Sequence, residues 1–151
     1  MAKNSKKEKS FSEIVVTKEE FLKLRPYINP LVEQKKKNEE SLLLKIDIGD
    51  LKRRKRFGRF LPTPNYKRIQ LDKLGMEVFL LCDGKNRVKD IMVKFQEKFK
   101  LTQTETEVSV QNFLMSLTQR HIIGFLIPKE IGEKHQIGES TIEKIIIEVI
   151  K

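Results

Sequence analysis

Six cations stand within eight residues at Lys52, Arg53, Arg54, Lys55, Arg56 and Arg59, interleaved with Phe57 and Phe60. Groups at that density can grip phosphates while the rings stack on bases, or they can dock on an acidic protein surface. A charge run of this kind is otherwise a solvated segment. The remaining reactive residues are few. His121, His135 and Cys82 have no spacing that sets two of them on one helical turn, so no zinc site is expected. Cys82 has no base nearby in sequence and is expected in the packed core. Asp83-Gly84 is simplest as a helix stop. There is no phosphate-cradling Gly-rich loop and no Ser/His/Asp arrangement. The chain is therefore expected to be non-catalytic, without cofactor or metal.

Those residues are carried by a chain of 151 residues, a length suited to one domain with short additions at each end. Charged residues make up 34% and hydrophobic ones 38%, so some segments are too polar to pack. No apolar run approaches the ~18–20 residues of a membrane span. The N-terminal MAKNSKKEKS lacks the apolar stretch of a secretion signal. With a single cysteine, a cytoplasmic location is expected. The formal charge of +10 is uneven. Residues 1–60 hold 17 Lys/Arg against 9 Asp/Glu, and residues 61–151 hold 14 against 12. Attraction to nucleic acid or acidic partners therefore belongs to the first portion.

The positioning elements follow from periodicity. Residues 1–10 read as a disordered basic tail. Residues 11–29 form an extension in which Thr17 and Glu20 have capping-box spacing before a short helix near 18–24, with Pro26 and Pro30 at its exit. Residues 31–36 and 41–48 read as strands of a hairpin turned at Asn38-Glu39-Glu40. The basic stretch, with Pro62 and Pro64, is expected as a long mobile loop over 51–65. A third strand, 67–71, sets Ile69 and Leu71 on one face. Asp72 then caps a helix carrying Leu71, Leu74, Val78 and Leu81 on one stripe. Val88, Ile91, Met92, Phe95 and Phe99 mark a second helix. Thr102 with Glu105, or Thr104 with Glu107, opens a third, whose stripe is Val110, Phe113, Leu114 and Leu117. Residues 121–128 read as a short strand or turn, and 129–138 as linker. Ser140 and Glu143 open a final amphipathic helix over 140–150. The fold class expected is α+β, winged-helix-like: a three-stranded antiparallel sheet, then a three-helix bundle, with an extra N-terminal helix and C-terminal helix.

Leu71-Asp72, then Leu81-Cys82-Asp83-Gly84, Val88 and Ile91, then Phe113-Leu114, Leu117 and Gly124 make up a pattern that resembles the PqqD-like family. The resemblance covers roughly residues 30–127, with the Cys-Asp-Gly turn as its most specific part. It implies a RiPP recognition element, a peptide-chaperone domain. Such a module binds the leader segment of a precursor peptide for a modifying enzyme, often a radical-SAM enzyme.

The resemblance further implies strand addition at residues 67–71, with a groove beside the third helix. The implied contacts are Arg68, Ile69, Gln70 and Leu71 on the strand, with Asn112, Met115, Ser116 and Gln119 on the helix. The partners implied are the precursor peptide and the modifying enzyme. The alternative is a winged helix that binds nucleic acid through Lys52, Arg53, Arg54, Lys55, Arg56 and Arg59. Against it, the third helix leads with Glu105 and Glu107, which suits a DNA groove poorly. The same cations could instead dock the acidic surface of a partner enzyme, and the final helix could serve self-association. No membrane partner is expected.

Overall fold

The computed structural model describes residues 13–47, 66–134 and 144–147. Twelve elements follow in order: β1 (Glu13–Val16), α1 (Lys18–Lys23), β2 (Arg25–Ile28), β3 (Val32–Asn38), β4 (Ser41–Asp47), β5 (Tyr66–Leu71), α2 (Lys73–Leu80), α3 (Val88–Phe99), α4 (Gln103–Gln119), β6 (Ile123–Leu126), α5 (Lys129–Lys134) and β7 (Lys144–Ile147). The fold is α+β, with an antiparallel sheet in the order β3-β4-β5 preceding three helices that pack on one another. Two further pairs, β2 with β6 and β1 with β7, complete it.

The hairpin turns where Asn38 Oδ1 accepts from the Glu40 amide at 2.9 Å, an Asx turn that fixes the register of β3 on β4. Alternation then decides which side is covered. Leu42, Leu44 and Ile46 point into the core while Leu43 stays half-buried on the other face. The apolar run 42–44 thus obeys the two-residue period once the sheet is formed. Asp72 caps α2 as its spacing predicts, its Oδ1 accepting from Gly75 N at 2.8 Å. On α4 the Thr102–Glu105 box forms, whereas Glu107 accepts instead from Lys18 Nζ at 2.6 Å and from Gln103 Nε2 at 3.1 Å. Arg87 has no oxygen with which to cap α3, and Asp90 reaches back to the Arg87 amide at 3.0 Å. The core runs continuously from Phe21 and Leu24 through Leu44, Phe79, Val88 and Ile91 to Leu114 and Ile122, all at most 1% exposed.

Three expectations are corrected. The helix over 140–150 is absent at its centre, since Lys144–Ile147 is a strand lying parallel to β1, with Val16 opposite Ile147. Consecutive β-branched isoleucines lose rotamer freedom in a helix and suit a pleated surface, and β1 supplies the partner that makes a strand viable. Residues 129–138 are not all linker, because Lys129–Lys134 is helical and buries Ile131. The extension contains strands as well as a helix. Pro26 sits within β2 because it needs to donate no ladder bond there, and β2 gains its partner from β6, almost 100 residues later. Residues 1–10, the loop 51–65 and the Ser140–Glu143 box lie outside the described residues, wholly or for the greater part.

Candidate functional site

The strand β5 is built by its own alternation. Its register on β4 sets Leu71 opposite Leu42, Ile69 opposite Leu44 and Lys67 opposite Ile46 on the core face. Leu71 is buried, Ile69 is half-buried and Lys67 is exposed, so cover from the helices falls away towards the start of the strand. On the other face Arg68 lies opposite Lys45, which in turn lies opposite Glu33. Tyr66, two residues before Arg68, shares that face. Its ring has the Lys45 ammonium 4.4 Å and the Arg68 guanidinium 5.0 Å from its centroid, and Arg68 Nη2 donates to its hydroxyl at 3.2 Å. These contacts are cation–π pairs that hold both cations over one ring. Arg68 has no carboxylate partner among the described residues.

Within the described residues, β5 pairs with β4 and with nothing on its other side. Consecutive residues of an antiparallel strand direct their backbone groups to opposite edges, so alternate residues of β5 offer an N–H and a C=O outwards. The edge is polar in its backbone, apolar beside Ile69 and cationic beside Arg68.

The helix residues are connected to this edge through α2. That helix packs on both β4 and β5, and Phe113 of α4 lies against Gly75, where an added Cβ would come 3.0 Å from the ring. Asn112 and Gln119 are exposed, and Met115 and Ser116 are half-buried. Thr106, Val110, Leu114, Leu117 and Thr118 form the buried face of α4, so all four residues fall outside it. At ~100° per residue, Ser116 and Asn112 lie ~60° and ~100° to one side of Phe113, and Met115 lies ~160° around on that same side. The structure therefore gathers Arg68, Ile69, Gln70 and Leu71 on one edge. Phe113 alone of that stretch is seen to touch α2, and no hydrogen bond or ion pair joins Asn112, Met115, Ser116 or Gln119 to the edge among the described residues. Sequence reasoning missed Tyr66 and Lys45. Both were signalled by the two-residue period from Arg68 and by the hairpin register.

The Cys-Asp-Gly turn is structural. Cys82 is fully buried, with Sγ donating to Val78 O at 3.3 Å. Burial, and then the neighbouring Asp83 carboxylate, pushes its thiol up to about 12. Asp83 Oδ1 accepts from the amides of Asn86 and Lys85, both at 2.9 Å, which holds its carboxyl below the usual range. Gly84 adopts φ 76°, a left-handed conformation open to glycine, and its amide donates to Pro26 O at 2.8 Å. The turn thus stitches the α2–α3 junction to β2, beyond merely ending α2. His121 is exposed, and no cluster of His, Cys, Asp and Glu suited to a metal occurs among the described residues. Nor is any helix among them long and apolar enough to cross a membrane. Lys52, Arg53, Arg54, Lys55, Arg56, Arg59 and His135 lie outside the described residues.

Neither the comparison with curated proteins nor that with solved structures returned a match. Residues 61–123 do match the model of one family, described as "Coenzyme PQQ synthesis protein D (PqqD)". That span takes in β5, α2, α3, the Cys-Asp-Gly turn and all of α4. Over residues 61–123 the chain is similar to that family, in agreement with the resemblance carried by Leu81-Cys82-Asp83-Gly84 and Phe113-Leu114.

Proposed function

We propose that this chain is a non-catalytic, winged-helix-like module that binds an extended segment of a precursor peptide along β5 and presents it to a modifying enzyme, such as a radical-SAM enzyme. The matched family is named for coenzyme PQQ synthesis, and the peptide-carrying role is taken from that likeness. One observation carries the proposal: among the described residues, β5 is paired on one side alone. A visiting strand would complete the ladder there, so backbone bonds give affinity and alternate side chains give selectivity. Residues of the visitor on the core face would meet Ile69 and the flank of α2, with Asn112, Ser116 and Gln119 beyond. Residues on the outer face would meet Arg68 and Gln70. Leu71, being buried, supports the strand from beneath, and Met115 serves only a peptide long enough to wrap α4.

Proline scanning tests the proposal. Of the neighbours Ile69 and Gln70, one directs its amide to β4 and the other to the open edge. Ile69→Pro and Gln70→Pro should thus differ, one weakening the fold and the other leaving it intact while removing an edge donor. Isothermal calorimetry with an extended synthetic precursor-type peptide should show binding to the parent chain and weaker binding to the folded proline variant. Equal affinity for that variant would rule out β5 as the docking edge.

A further inference from the structure

A second surface, built from other elements, carries its own chemistry. Lys23 in the last turn of α1, Arg25 at the start of β2 and Arg87 at the head of α3 line a cleft of about 390 Å³ whose remaining walls are Leu126, Ile127 and Pro128. Backbone bonding forces the three cations together. Val88 N donates to Leu24 O at 2.8 Å, which places Arg87 beside the residue lying between Lys23 and Arg25. Arg25 is paired directly with Leu126 across β2 and β6, so the apolar side chain stands next to the guanidinium. Asp90 holds one side of Arg87, at 3.1 Å from Nε and 3.2 Å from Nη2. Lys23 and Arg25 are exposed and have no carboxylate partner among the described residues. Leu126 is 50% exposed although it belongs to a strand.

We infer that this cleft docks an acidic segment of a protein partner, in which Asp or Glu side chains flank an apolar residue. With Arg87 already held by Asp90, Lys23 and Arg25 are the two cations here without a carboxylate partner among the described residues, and an anionic occupant would supply one. The apolar walls call for an apolar side chain between the acids. A nucleic acid satisfies only half of the surface, because the cleft offers no aromatic ring on which a base could stack. The cleft shares no residue and no strand with the β5 edge, so it does not depend on peptide binding there.

The test uses the full chain, isotopically labelled, and a capped synthetic peptide of alternating Glu and Leu. The same peptide with Gln for Glu, and a short oligothymidylate, serve as comparisons. The acidic peptide should shift the amide resonances of residues 23–25, 87 and 126–128. Its affinity should fall about tenfold or more in Lys23→Glu/Arg25→Glu and about fivefold in Leu126→Ser, while Lys98→Gln, at the far end of α3, retains it. Should charge reversal disturb the fold, Lys23→Gln/Arg25→Gln answers the same question with a smaller loss. Shifts confined to other residues, or unchanged affinity in the folded double variant, would overturn the inference. So would tighter binding of oligothymidylate with the same dependence on Lys23 and Arg25, and equal binding of the Gln peptide.

Discussion

Gly124→Ala probes the pairing that shapes the β2–β6 ribbon, and its size follows from one contact. Tyr27 lies directly opposite Gly124, with its ring across the glycine. A Cβ built there would stand 2.6 Å from the Tyr27 hydroxyl oxygen, 2.7 Å from Cζ and 2.9 Å from Cε1. No side chain tolerates such distances, so the ring must lift off the ribbon. Overpacking of this kind costs ~1–3 kcal/mol. Gly124 has no positive φ, so alanine also restricts the unfolded chain, which offsets ~0.4–1 kcal/mol. The net expectation is a loss of up to ~2.5 kcal/mol. At ~2–4 °C per kcal/mol for a chain of this size, Tm falls by up to ~10 °C. Urea unfolding followed by circular dichroism, with an unchanged slope, measures the loss. The decisive comparison is the same substitution in a Tyr27→Ala background. With the ring gone, only the entropic gain remains, and Gly124→Ala should then stabilise. An equal loss in both backgrounds would refute the ring-over-glycine account.

Cys82 should react with iodoacetamide at pH 8 roughly a thousandfold more slowly in the folded chain than in urea, since its thiol is raised from 9.0 to about 12. The unfolded chain therefore loses that proton first. The thiol's contribution to stability is complete below pH 9 and declines as pH rises towards 12, a slope that Cys82→Ala should reduce in denaturation curves. Asp83 has the opposite sign: the amides of Asn86 and Lys85 hold its carboxyl low, so its contribution is present above the ordinary carboxylate range and is lost as pH falls below it. Asp83→Asn should flatten the acid limb of a Tm-against-pH series. Asp72→Ala removes the oxygen 2.8 Å from Gly75 N, and urea unfolding should show a loss of ~0.5–2 kcal/mol.

Local chemistry made much of this protein legible before any coordinates. The helices are announced by stripes such as Val88, Ile91, Met92 and Phe95, and by caps such as Asp72 and Thr102, because a helix is decided by residues three and four apart. The β3–β4 hairpin is equally local, turned by Asn38. The strand holding Arg68, Ile69 and Gln70 was readable for the same reason. Its standing as an edge among the described residues is not a property of Arg68, Ile69 and Gln70 themselves, and it follows from the order β3-β4-β5.

Only tertiary structure decided what depends on distant partners. Pro26 looked like the exit of a helix until Phe125, far along the chain, paired with it, and the isoleucines before residue 148 looked helical until β1 offered a ladder. The cleft of Lys23, Arg25 and Arg87 has no signature along the chain, since 62 positions separate Arg25 from Arg87 and one backbone bond, Val88 N to Leu24 O, brings them together. Periodicity records which face of an element is apolar. Which other element covers that face is settled by closing loops of many residues, and that outcome is written in no single stretch of sequence.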